Sequence, residues 1–278
     1  MPIIHAVILG IVQGLSEFLP ISSSGHLLLV PWLFHWHDFD GSGGSSFEKA
    51  FDVALHLGTL AAVVGYFWRD LVVYARDGVR AALKRSERAT PQGRQAWLFV
   101  LGSIPAAIAG AVGEKFIDKH LGKPPIIAVS LIVFGLLLGW ADRLAGARKL
   151  EDFTRRDTLL IGAAQVLSLN PGTSRSGITM TAGRTLGFTR DAAARISFLL
   201  AVPVTAGAVA YKLAKLARDG IPHGFGTPMV VGVITSGLFG WLAVWGTLRL
   251  VRTRSFLPFV IYRIAAGVLV LAVWFARR

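Results

Sequence analysis

Four stretches of this chain, 96–113, 124–141, 196–211 and 224–248, contain no Asp, Glu, Lys or Arg. Each is near or above the ~18 apolar residues that a helix needs to cross a bilayer. Inside lipid every backbone N–H and C=O must be satisfied internally, so continuous apolar runs of this length are expected to cross as helices. Two less uniform segments, 51–68 with Asp52 and His56 and 259–276 with Arg263, bring the expected crossings to six. Composition agrees: 53% hydrophobic residues, 16% charged residues and a mean hydropathy of +0.57 are too apolar for an ordinary soluble domain. The formal charge of +13 does not point to nucleic acid, because the basic residues sit largely between the apolar segments, as in cytoplasmic loops. With no cysteine there is no disulfide and no thiolate metal site. The N-terminus lacks the basic residues and cleavage site of a signal peptide, so the first apolar helix is expected to stay. Trp68, Trp97, Trp140 and Trp274 fall near expected helix ends, where an interfacial belt accounts for them.

The segments that do not fit this plan are the informative ones. An apolar run from Ile3 to Leu19 is broken by Pro20 and the Ser22–Gly25 turn before it can cross, and a short run from Leu27 to Phe34 follows. Two half-length helices around a polar turn read as a re-entrant hairpin, which is tolerated at membrane depth where protein or a wet cavity surrounds it. The competing reading is one long kinked helix. The same segment then recurs. An offset of 152 positions lays Gly10–Gly25 over Gly162–Gly177, with seven of sixteen pairs identical: Gly10/Gly162, Gln13/Gln165, Leu15/Leu167, Ser16/Ser168, Ser22/Ser174, Ser24/Ser176 and Gly25/Gly177. The mismatches matter as much, since Glu17, Ser23 and His26 lie over Leu169, Arg175 and Ile178. One copy holds acid, hydroxyl and imidazole; the other holds a guanidinium.

Charge sets the expected orientation. Residues 69–94 carry seven Lys or Arg against three acids, and 143–156 carry five more basic residues, which marks both segments as cytoplasmic connections. The 114–123 connection has only three. The first half therefore crosses three times, so the second copy enters with opposite orientation. The expected fold is an all-α polytopic membrane protein built as an inverted-topology repeat, with six transmembrane helices and two re-entrant helical hairpins. Residues 1–141 form the first repeat and 158–278 the second, joined by a cytoplasmic loop at 142–157.

In such repeats the broken helices of the two halves build the site. The loop around Gly172, Ser174, Arg175, Ser176 and Gly177 precedes a helix expected to begin near Ile178. Small residues and a helix start suit phosphate oxygens, and Arg175 adds a forked donor. A serine-capped turn explains the loop equally well until Arg175, an expensive intramembrane charge, is weighed. Glu17 can accept a proton, orient an imidazole or hold a divalent cation, and Gln13 shares its helix face. Ser23, with Ser22 and Ser24 as competitors, is the candidate nucleophile, and His26 three positions on is a candidate activator. Asp52 and His56 share one face of a crossing and are assigned supporting places; Arg184, Arg195 and Arg263 are ranked with them.

At these residues the chain resembles the undecaprenyl-diphosphate phosphatase (bacitracin-resistance) family. QGLSE at Gln13–Glu17 fits its (E/Q)xxxE pattern, SSSGH at Ser22–His26 its serine-rich turn, and PGTSRSGIT at Pro171–Thr179 its PGxSRSxxT motif. LLAVPV at Leu199–Val204 and FLPFVIYR at Phe256–Arg263 also look familial, so the resemblance spans essentially the whole chain. Gln13 stands where some members carry Glu. The resemblance implies a multi-pass enzyme of the bacterial inner membrane. It would hydrolyse undecaprenyl diphosphate on the outer face, recycling the carrier for peptidoglycan synthesis and conferring bacitracin tolerance. It implies functional positions at Glu17, Ser23, His26, Ser174, Arg175 and Thr179, and a requirement for a divalent cation, Mg2+ or Ca2+, for which Glu17 is by its own chemistry the candidate ligand. No organic cofactor and no nucleic-acid partner are expected, and a homodimer is an open expectation. A transporter or polyprenyl-phosphate flippase is the rival reading, because inverted repeats are frequent in carriers. A structural scaffold fits poorly with the intramembrane charges. The broad acid phosphatase superfamily, whose PSGH segment SSSGH resembles, is set aside because no histidine follows Ser174-Arg175 at its spacing.

Overall fold

The computed structural model describes residues 1–40, 44–83, 90–219 and 226–278. Within them lie eleven α-helices: α1 (Ile3–Phe18), α2 (Ser23–Phe34), α3 (Gly44–Tyr66), α4 (Trp68–Leu83), α5 (Pro91–His120), α6 (Pro124–Asp142), α7 (Arg155–Val166), α8 (Arg175–Thr185), α9 (Arg190–Asp219), α10 (Gly226–Thr253) and α11 (Leu257–Ala276). A single bridge, Arg148 with Phe188, is the extended pairing among the described residues. Five helices, α5, α6, α9, α10 and α11, are long and apolar enough to span a bilayer. The sixth expected crossing is α3, which with α4 forms a pair bent by 84° at Phe67. Apolar side chains such as Ile108, Val112, Leu238 and Leu269 face outward from these helices, as expected of surfaces that meet lipid. The protein is an all-helical, multi-pass membrane protein.

Three boundaries differ from the sequence reading. The segment expected to be a basic connection is largely helix, since α4 occupies 68–83; residues 84–89 of that connection lie outside the described residues. The connection placed at 114–123 is mostly the continuation of α5, which Leu121 caps. The Gly/Ser-rich stretch 41–46 reads from its composition as a loop, yet residues 44–46 belong to α3; 41–43 lie outside the described residues, as do the first two residues of the 224–248 run.

The helices interleave. α10 packs against α1 and α3, while α5 packs against α7 and α9, so each half of the chain embraces the broken helix of the other. α6 and α11 pair directly, as do α3 and α9. The matched glycines Gly10 and Gly162 sit at the two crossings that permit this: a Cβ on Gly10 would collide with Thr235, and one on Gly162 would lie 2.7 Å from the Gly102 carbonyl oxygen. A core of Phe18, Phe67, Phe99, Leu138, Phe188, Phe198 and Phe256 lies beneath. At the 142–157 connection, Arg148 donates to both carboxylate oxygens of Asp157 (2.9 and 2.6 Å) and stacks on Phe188 at 4.1 Å, fixing how α7 is entered.

Candidate active site

Two interruptions in helix make the site. α1 ends at Phe18 with Leu19 extended, and α2 begins at Ser23. α7 runs into a 3-10 turn at Leu167–Leu169, and α8 begins at Arg175, three residues earlier than expected. Both helix starts use the same device. Ser22 and Ser174, a matched pair, have positive φ (80° and 74°) and cap the following helix by accepting from the N–H of Gly25 and Gly177. Positive φ strains a residue with a Cβ, so the surrounding structure must hold both turns.

They hold each other. Gly172 N–H donates to Ser22 Oγ at 2.9 Å, and Ser176 Oγ donates to the Leu19 carbonyl at 3.0 Å. Arg263, fully buried on α11, donates to the carbonyls of Pro20 (3.0 Å), Gly172 (2.8 Å), Thr173 (2.9 Å) and Leu131 (3.2 Å). A buried cation with no acidic partner among the described residues is thus satisfied by backbone oxygens of both breaks. Ranked as peripheral in the sequence, Arg263 is the clamp that joins them.

Beside this junction lies a cavity of about 180 Å³, lined by Ser16, Glu17, Ser22, Ser23, Ser24 and His56 from the first half and by Ser168, Ser174, Arg175 and Thr205 from the second. Three of the matched pairs, Ser16/Ser168, Ser22/Ser174 and Ser23/Arg175, contribute both members, so the cavity sits where the two copies meet. Glu17 is its centre. Ser23 Oγ donates to Glu17 Oε2 at 2.5 Å, and Gln13 Nε2 donates to the same oxygen at 3.2 Å. Arg175 Nη2 donates to Glu17 Oε1 at 2.8 Å across 158 residues of sequence. Arg175 Nη1 is buried at the cavity wall with no partner among the described residues. A guanidinium with one arm held and one arm unpaired suits an incoming anion.

The histidines exchange places relative to the sequence reading. His26 bonds other partners than Ser23: its Nδ1 bonds the Ser22 carbonyl (2.7 Å), its Nε2 bonds the Tyr262 hydroxyl (2.7 Å), and its ring stacks on that tyrosine. It is not among the side chains that line the cavity. His56 is the imidazole near the carboxylate, with Nε2 3.8 Å from Glu17 Oε2 and Nδ1 bonded to the Asp52 carbonyl at 2.7 Å. Asp52 thus takes part through its backbone and does not line the cavity.

The expected phosphate cradle is also narrower. Gly172 and Gly177 have committed their N–H groups to serine caps. Thr179 Oγ1 is buried against the Arg175 carbonyl and Ser197, and Ser176 Oγ against Leu19 and Ser174. These four shape the turn because buried hydroxyls and amides satisfy one another before they face a cavity. Ser174 and Arg175 remain on the wall. As for a cation, no group of three His, Asp or Glu side chains among the described residues can hold a metal, and both Glu17 oxygens already accept from Arg175, Ser23 and Gln13. The residues present do not fit a protein-held metal centred on Glu17. Tyr262 and Thr205 are the contributors that sequence reasoning passed over; the Tyr-Arg pair inside an apolar crossing was the available signal for the first.

Comparison with known proteins gives the family. Residues 6–269 match the family model described as bacitracin resistance protein BacA. An undecaprenyl-diphosphatase of Geobacter sulfurreducens is 48% identical, and one of Moorella thermoacetica 43%, each with all of both chains covered. Undecaprenyl-diphosphatase 2 of Stutzerimonas stutzeri is 44% identical over 99% of each chain. A match that spans both broken helices, the clamp and the cavity wall leaves one conclusion: the chain belongs to the bacitracin resistance protein BacA family.

Proposed function

We infer that this chain is an undecaprenyl-diphosphatase, releasing inorganic phosphate from undecaprenyl diphosphate and returning undecaprenyl phosphate to the lipid-carrier pool. The observation that carries the reading is the shared carboxylate: Glu17 accepts from the Ser23 hydroxyl at 2.5 Å and from Arg175 at 2.8 Å on one cavity wall. Ser23 Oγ forms a bond to the terminal phosphorus as the bridging oxygen leaves with undecaprenyl phosphate, and the hydroxyl proton passes by way of Glu17 to that departing oxygen, which leaves Glu17 ionised again. Arg175 turns from Glu17 to the transferring phosphoryl oxygens, where its unpaired Nη1 already lies. Water then attacks the phosphoserine with Glu17 as base, releasing inorganic phosphate and restoring Ser23. His26, bonded to Ser22 and Tyr262, keeps the start of α2 in register and acts by position.

A divalent cation belongs in this scheme with the diphosphate, as part of the substrate, where it neutralises phosphate charge. The reading also places α1–α2 and α7–α8 as two re-entrant hairpins of an inverted repeat, with units at 1–141 and 158–278. The exchange of partners, α10 on α1 and α3 against α5 on α7 and α9, supports it. The loop charges support a bacterial inner-membrane location with the cavity open to the outer face. A homodimer stays an open part of the proposal.

The test is phosphate release from undecaprenyl diphosphate by detergent-purified protein, where no gradient exists for a carrier to use. Acid quench within one turnover should trap phosphate on Ser23 in the wild type and none in Ser23→Ala. Turnover without label on Ser23 would move the attack to water, and absence of release would return the chain to the carrier reading.

A further inference from the structure

The α4 helix is the element that the site does not explain. It leaves the end of α3 at 84° and is fixed by α5: Trp97 Nε1 donates to the Gly78 carbonyl at 3.0 Å, Thr90 Oγ1 to Asp77 at 3.1 Å, and the Tyr74 hydroxyl to Gln95 at 3.4 Å. Its opposite face is sorted by chemistry. At 3.6 residues per turn, Trp68, Val72, Val79 and Leu83 fall within an arc of roughly 60°. Their exposures are 54, 58, 56 and 79%. Arg69, Arg76 and Arg80, all exposed, follow along one edge of that stripe, within the next ~60° of arc. Asp70 and Asp77 lie on the far side, and Asp77 is buried, bonded by Arg76 and Thr90. The stripe's other edge is bordered by Ala75 and Ala82, both exposed, and α5 covers the face opposite the stripe.

A helix held across the end of a membrane span, with an apolar stripe outward, arginines along one edge of it and small alanines along the other, has the form of an in-plane interfacial helix. We propose that α4 is an anionic-lipid docking surface, with the Trp68–Leu83 stripe seated among acyl chains and Arg69, Arg76 and Arg80 gripping lipid phosphates. The guanidinium fork suits a phosphodiester; Asp70 lies on the far side of the helix, and Asp77 engages Arg76 through its Nε. Arg69 stacks on Trp68 at 5.4 Å, as expected for an aromatic and a cation sharing one headgroup layer. Attraction of this kind to an anionic leaflet weakens with salt.

The natural chain has no cysteine, so single-cysteine variants label cleanly. Val72→Cys, Val79→Cys and Asp70→Cys would each carry an environment-sensitive fluorophore on the full-length protein in vesicles. The vesicles hold tail-brominated phosphatidylglycerol or tail-brominated phosphatidylcholine at equal content. Quenching is expected to be strong at 72 and 79 and weak at 70, and several-fold greater from phosphatidylglycerol than from phosphatidylcholine at 72. In the Arg69→Gln/Arg76→Gln/Arg80→Gln background, or at high salt, the two lipids should quench equally, while detergent-phase phosphatase activity reports that the fold is intact. Equal quenching at 70, 72 and 79, parity of the two lipids in the wild-type background, or a stripe shielded only when soluble protein is added would overturn the proposal.

Discussion

The two turns share a skeleton and differ in everything that can react. Each begins with a serine at positive φ that caps the next helix through a glycine N–H three residues on, and each follows a helix carrying a buried glutamine at the matched place. Yet Gln13 has Glu17 one turn away to bond, whereas Gln165 has Leu169, and neither amide atom of Gln165 finds a partner among the described residues. Ser23 lies over Arg175 and His26 over Ile178. On the cavity wall Ser16/Ser168 and Ser22/Ser174 are alike, whereas Ser23 faces Arg175 in the alignment and Glu17 faces Leu169. The two turns are unlike where chemistry needs unlike groups, an acid with a nucleophile on one side and an anion clamp on the other.

The most damaging break is on the diverged positions. Arg175→Ala or Glu17→Gln should lower kcat at least ~10²–10³-fold, the usual consequence of losing one transition-state donor, with little change in the thermal midpoint measured in detergent. Next come the shared positions. Gly172→Ala adds a Cβ at φ +95°, 2.6 Å from the Ile127 carbonyl, and should destabilise by about 1–3 kcal/mol or more. Its signature is a lowered unfolding midpoint rather than a selective loss of turnover.

The serine pair separates more finely. Ser174→Ala removes a cap and should lower stability by about 1 kcal/mol. Ser22→Ala also unpairs the Gly172 N–H and should reach about 1–3 kcal/mol. Equal midpoints for the two variants would show that the cross-turn bond contributes nothing. The smallest effect tests the glutamines: Gln165→Met removes an unsatisfied buried amide and should be neutral or slightly stabilising, whereas Gln13→Met should reduce turnover by loosening Glu17. Matching behaviour in both would erase the asymmetry between the copies.

Much of this was legible in the residues. Glu17 and Arg175 were singled out because charge inside an apolar hairpin is expensive, and the offset of 152 already aligned the turns on which they stand. The partner of His26 was not legible, because three residues on a turn is close along the chain, yet Tyr262 stands 236 positions away. The α4 helix was hidden by its arginines, which read as a cytoplasmic loop although Trp68, Val72, Val79 and Leu83 already carried a helical period. Ser176, Gly177 and Thr179 looked like ligand groups because short polar residues serve caps and phosphates alike.

By itself the sequence determined that this chain lives in a bilayer as helices and that two of those helices must break, since uncharged runs leave no other way to satisfy the backbone and Pro20 and the Ser/Gly turns interrupt it. Only the tertiary structure decided which polar groups meet. Each half packs against the other's broken helix, and Arg263 ties both breaks through four carbonyl oxygens. That packing brings Glu17 against Ser23 and Arg175 and sends His26 to Tyr262, because a buried polar group bonds whatever the packed helices place within about 3 Å of it.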